Sequence, residues 1–156
     1  MTLDEFVALS AALTGYPADE LKPARDTQGV AAALYAELSR PENNIPPNQL
    51  TLLTQTWIVI AQAPASQTYE RVYNSIILNK SITRLAQNII YMWYLGIWYD
   101  LTKNPNCFDF PNNDHVVSSL AYTNGLVWGE MGAHPMGFST EHYGYWEKAP
   151  TLPAIK

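Results

Sequence analysis

Charge is scarce in this sequence. Only 15% of its 156 residues are Asp, Glu, Lys or Arg, where soluble proteins average about 25%. Much of the surface must therefore be neutral polar or apolar, as on a subunit that hides one face against a partner or on a tightly folded monomer. The nine basic residues are scattered from Lys22 to Lys156 and the formal net charge is −5. Counterion release from phosphates needs grouped cations, so nucleic acid is not an expected partner. Cysteine is almost absent. Cys107 alone can neither close an internal disulfide nor hold an iron–sulfur cluster. Its neighbours Asn106, Phe108 and Asp109 bring no cation to make a thiolate, and it reads as an inert thiol or as half of a bridge to another chain. Long apolar runs are missing too. The longest, Ile89 to Tyr99, is about half of a membrane span, which predicts a soluble chain.

The fingerprints of common chemistries are missing as well. There is no G-x-G-x-x-G or G-x-x-x-x-G-K for a nucleotide, no C-x-x-C-H for covalent haem, and no H-E-x-x-H or G-x-S-x-G. The reading is a chain with no cofactor, no metal and no catalytic set of its own. The opening Met1-Thr2-Leu3-Asp4-Glu5 has neither the basic n-region nor the apolar h-region of a secretory signal.

What is present is helical periodicity. Leu3, Phe6, Leu9 and Leu13 repeat at helical spacing, Thr2 and Glu5 form a capping-box pattern, and Gly15 and Pro17 supply a stop. A turn-rich stretch with Pro17 and Pro23 follows. Val30, Leu34 and Leu38 mark a second helix, closed by Pro41. After a loop to Pro47, Leu50, Leu53, Trp57 and Ile60 mark a third helix. Tyr69, Val72, Tyr73 and Ile76 place a fourth over 66–78, and Ile82, Leu85, Ile89 and Met92 a fifth. From Ile89 onward the fifth is apolar on every side, which predicts burial at the centre of a bundle. A loop over 104–114 follows, then a shorter helix through Val116, Leu120 and Val127, which Asn124-Gly125 disfavours. The fold expected is mainly α: one domain over 1–156, a compact bundle of five to six helices over 1–128, and an irregular, aromatic-rich C-terminal arm over 129–156.

The three histidines bear on catalysis. His115 follows Asp114 at the mouth of the expected short helix, and neighbours on a helix do not face each other, so it reads as a solvated cap. His134 lies in Gly132-Ala133-His134-Pro135-Met136-Gly137, where a ring nitrogen satisfied by a carbonyl is expected. His142 could pair with His134 on a metal, but a spacing of eight in irregular chain sets no ligand geometry.

Several segments in order resemble the small subunits of bacterial FAD-dependent sugar and polyol dehydrogenase complexes. They are Phe6 to Gly15, Ala33 to Leu38, Trp93-Tyr94-Leu95-Gly96-Ile97, Tyr122 to Trp128, His134-Pro135-Met136-Gly137, and Gly144-Tyr145-Trp146 before Pro150. The resemblance implies a non-catalytic accessory subunit. Such a subunit binds and stabilises a large FAD-bearing dehydrogenase subunit and assists its twin-arginine export to the periplasm. A multihaem cytochrome c is the implied third component, and the substrate is chosen by the large subunit. An export signal is implied but is not part of this sequence. Members often carry a cysteine just before the last motif that bridges to the large subunit. Here Thr140 to Trp146 contains none, so no bridge carries over. Trp128, His134, Pro135, Tyr145 and Trp146 are the residues expected to form or brace the partner contact. Two other readings stand beside this one. The first is a small helical enzyme using His134 or His115 with nearby carboxylates. The second is a small-molecule-binding bundle with its pocket among Trp57, Trp93 and Trp98.

Overall fold

The structure, a computed structural model, describes residues 1–24, 28–101 and 113–135. Its chain is mainly helical, as the periodicity predicts. Helix α1 (Leu3–Thr14) opens on the expected capping box. Thr2 Oγ1 accepts from the Glu5 amide at 3.2 Å, and Glu5 Oε2 accepts from the Thr2 amide at 2.6 Å. Two of the four orphan amides at the helix start are thereby satisfied. Gly15, at φ 82°, ends the helix in the left-handed conformation. The turn-rich stretch after it contains one helical turn, α2 (Ala18–Leu21), started by the fixed φ of Pro17.

Helices α3 (Val30–Glu37) and α4 (Pro47–Ala61) fall where expected. The fourth expected helix is one helical stretch of three geometries. A 3-10 turn at 65–67 leads into α5 (Thr68–Val72), which continues into a π-turn at 73–77. Helix α6 (Thr83–Leu95) ends at Gly96, φ 65°. Its buried face is Leu85, Ala86, Asn88, Ile89, Met92 and Trp93. The expectation that it is buried all round from Ile89 is corrected: Tyr91 is 47% exposed. A tyrosine counted as apolar can keep its hydroxyl in water, and its ring meets Tyr99 edge-on at 5.1 Å.

The segment read as a single short helix is three elements. Strand β1 (Ile97–Trp98) pairs antiparallel with β2 (His115–Val116), with Ile97 opposite Val116 and Trp98 opposite His115. Val116 is thus a strand residue. Helix α7 (Ser119–Thr123) starts at Ser118, whose hydroxyl accepts from the Ala121 amide at 3.0 Å. Helix α8 (Leu126–Glu130) carries regular structure past residue 128, where the arm was expected to begin.

The core draws on α1, α3, α4, α5 and α6, with Phe6, Leu34, Leu53, Ile76, Leu85 and Ile89 wholly buried. Each such side chain contributes about 1.5–3 kcal/mol on burial. Two glycines set how closely the C-terminal elements approach α6. A Cβ on Gly96 would lie 2.5 Å from the backbone of Ala121 and Tyr122, and one on Gly125 would lie 2.6 Å from the Tyr94 carbonyl oxygen. No charged residue occurs from Asn43 to Tyr69. On this stretch Leu52, Ile58, Val59 and Tyr69 stand exposed, and Tyr73 and Leu78 follow them. Among the described residues no helix is long and apolar enough to cross a membrane.

Candidate functional site

Among the described residues, a polar cluster gathers where the end of α3 meets β2. Glu37 lies three residues after Leu34, on the inward face of α3, and only 7% of its side chain is exposed. A carboxylate on an apolar face has to be paired, and the chain supplies three partners. Asn43 Nδ2 donates to Glu37 Oε2 at 2.6 Å and to the Glu37 carbonyl at 2.8 Å. Arg40 Nη1 lies 3.3 Å from Oε1. His115 Nε2 lies 3.0 Å from Oε2. The other His115 nitrogen, Nδ1, donates to the Asn113 carbonyl at 2.8 Å.

The strand register brings the imidazole here, because His115 stands directly opposite the wholly buried Trp98. The reading of His115 as a solvated cap is therefore corrected. It is a part-buried strand residue, and its carboxylate partner is Glu37, 78 positions away, rather than Asp114. Asp114 serves the backbone instead, with Oδ1 accepting from the Asp100 amide at 2.6 Å. Asn113 closes the cluster. Its amide group donates to the Glu42 carbonyl and, at 3.3 Å, to Asn43 Oδ1, while its backbone N–H donates to Asp100 Oδ2 at 3.1 Å.

This arrangement joins chain segments. A general base needs one ring nitrogen within reach of a substrate proton. Both nitrogens of His115 are engaged by the protein itself, and Glu37 is covered. Removing one partner of a buried ion pair typically costs about 3–5 kcal/mol, because the other charge is left uncompensated. Sequence reasoning passed over Glu37, Arg40, Asn43 and Asn113. One trace of them was available: Glu37 shares the helix face of Leu34, where a carboxylate demands a partner.

A second polar contact ties the ends of the described chain together. The Tyr16 hydroxyl donates to Glu130 Oε1, and the Tyr16 ring meets Tyr94 edge-on at 6.3 Å. The hydrogen bond to Glu130, then burial, then the Glu130 charge hold the Tyr16 hydroxyl up at about 12. Burial, followed by the Glu130 charge, also raises that of Tyr94.

The residues expected at a partner contact divide between described and undescribed chain. Trp128 is half-buried. Its indole N–H donates to the Tyr122 carbonyl at 2.7 Å, and its ring meets the Tyr122 ring edge-on at 5.4 Å. His134 is half-buried, with Nδ1 donating to the Pro135 carbonyl at 3.0 Å, and Pro135 is buried. Tyr145, Trp146, His142 and Cys107 lie outside the described residues. Among the described residues no group of three or more His, Cys, Asp or Glu is placed to hold a metal ion.

Trp57, Trp93 and Trp98, the proposed lining of a small-molecule pocket, are all core residues. A shallow groove of about 390 Å³ lies elsewhere, between α1 and α2, beside the 2.7 Å ion pair of Lys22 with Asp4. No family model, no curated protein and no solved structure matches the chain.

Proposed function

We propose that this chain is a non-catalytic accessory subunit. On this reading it binds, stabilises and assists the export of the FAD-containing large subunit of a periplasmic sugar or polyol dehydrogenase, with a cytochrome c as a further component. The observation that carries the reading is the charge-free stretch from Asn43 to Tyr69 together with what it leaves exposed. Leu52 and Val59 are two turns apart on one side of α4, and Val59 and Tyr69 are 63% and 79% exposed. Interface cores are depleted in charge and enriched in aromatic side chains, and permanent complexes commonly bury more than about 2,000 Å². The motif order from Phe6 to Trp146 supports the same reading. On this reading Trp128, His134 and Pro135, together with Tyr145 and Trp146, form or brace the partner contact.

The test is co-expression with a large FAD-bearing dehydrogenase subunit of the implied kind, with flavin absorbance measured in the material that co-purifies. The wild-type chain should bring the flavoprotein with it. Leu52→Glu combined with Val59→Glu should lose it while the far-UV circular dichroism stays unchanged. Failure of the wild-type chain to retain the flavoprotein defeats the subunit reading. Retention by the double variant defeats only the assignment of the α4 face.

A further inference from the structure

The contacts around His115 cannot all be satisfied at once, and a single proton decides between them. Nδ1 faces the Asn113 carbonyl at 2.8 Å. A carbonyl only accepts, so Nδ1 carries hydrogen throughout. Nε2 has two neighbours at almost the same distance: Arg40 Nη1 at 2.9 Å and Glu37 Oε2 at 3.0 Å. A guanidinium only donates and a carboxylate only accepts. The Arg40 contact therefore requires a bare Nε2, and the Glu37 contact requires Nε2–H.

We propose that His115, Glu37 and Arg40 form a proton-operated clasp in which uptake of one proton by His115 releases the Arg40 guanidinium to the surface. In the neutral ring, Arg40 Nη1 uses its two hydrogens to bridge Nε2 and Glu37 Oε1, the latter at 3.3 Å. Asn43 keeps Oε2 occupied at 2.6 Å. In the charged ring, Nε2–H donates to Oε2, and two cations now stand 2.9 Å apart. Arg40 is the partner able to leave. Its side chain is 44% exposed against 7% for Glu37 and 22% for His115.

A landing place exists for the released group, since Arg40 Nε already lies 3.4 Å from Glu42 Oε2. Among the described residues, the charged groups near the imidazole are Glu37 from α3, Arg40 from the turn that follows it, Glu42 behind Arg40, Asp114 adjacent in the chain, and Asp100, whose Oδ2 accepts from the Asn113 amide. Asp114 is turned to the Asp100 amide. Neither β1 nor α7 contributes a charge. The Asn113 contacts to Asn43 and Glu42 do not involve the proton, so β2 stays docked while Arg40 moves.

The experiment is nitrogen-15 NMR of the imidazole and guanidinium groups in the full chain. It runs from about pH 8 to about pH 5, the range over which histidine ordinarily changes charge. The neutral ring should be the Nδ1–H tautomer, and a slowly rotating Arg40 Nη signal should be lost as the ring takes up its proton. His115→Gln removes the group that takes up the proton, and the Arg40 signal should then persist down to about pH 5. A wild-type neutral ring protonated on Nε2, or an Arg40 signal indifferent to the state of His115, would overturn the clasp. So would an Arg40 signal that is still lost on acidification in His115→Gln.

Discussion

Asn88 holds Tyr99 as a neighbouring strand would. Its Oδ1 accepts from the Tyr99 amide at 3.0 Å, and its Nδ2 donates to the Tyr99 carbonyl at 2.7 Å. One side chain of α6, itself only 2% exposed, thus satisfies both backbone groups of the residue that follows β1. The chain leaves the core at this point and soon reaches Asp100, whose backbone and carboxylate hold Asp114 and Asn113. The His115 cluster therefore depends on Asn88 through the backbone.

Replacing Asn88 by Leu keeps the volume close and removes both hydrogen bonds. Two part-buried backbone groups are then left unpaired, at about 1–3 kcal/mol each. The expected loss in urea unfolding is about 2–6 kcal/mol. A loss below about 0.5 kcal/mol would mean that water serves Tyr99 equally well.

Gly96→Ala should be among the most damaging small substitutions. The left-handed backbone, φ 65°, costs a side chain about 1–2 kcal/mol. The new Cβ would also meet the Ala121 and Tyr122 backbone at 2.5 Å, and overpacking of this kind costs about 1–3 kcal/mol more. Gly15→Ala shares the positive φ but has nothing within 4 Å of the added atom. It should therefore lose only the conformational part. Comparing the two unfolding midpoints separates backbone strain from close approach. Equal losses would show that the contact of α6 with α7 gives way.

Tyr16 makes stability depend on alkaline pH. Its hydroxyl is raised from 10.0 to about 12 in the folded chain, first by the hydrogen bond to Glu130. The fold thus favours the neutral phenol. The stabilisation is fully present below pH 10 and is lost as pH rises through about 12. Titration of phenolate absorbance should show a late step in which Tyr16 ionises. Tyr16→Phe should remove that step and flatten the decline of stability above pH 10. A late step that persists in Tyr16→Phe would assign it to Tyr94 or Tyr99 instead, whose hydroxyls are also raised.

The helices were legible because their causes are local. Thr2 and Glu5 cap α1 within one turn, Gly15 and Gly96 stop helices with a conformation that other residues resist, and Leu50, Leu53, Trp57 and Ile60 repeat on one face of α4. The boundary between strand and helix after residue 114 was not legible. Val116, Leu120 and Val127 fit a helical repeat, yet Val116 pairs with Ile97 across a gap of 19 residues, and two strand residues carry no period of their own. The polar cluster was hidden for a related reason: Glu37 and His115 are ordinary neighbours of their local sequence, and nothing near either one points to the other.

The amino-acid order alone determined that the chain is helical, where most helices start and stop, and that it is poor in charge. These follow from side-chain spacing, caps and composition, which act over a few residues. Only the tertiary structure decided that His115 meets Glu37 and Arg40, that Asn88 carries Tyr99, and that Tyr16 reaches Glu130. Each of these contacts spans more than ten positions. A contact at that separation exists only once the core has closed and repaid the entropy of bringing its ends together.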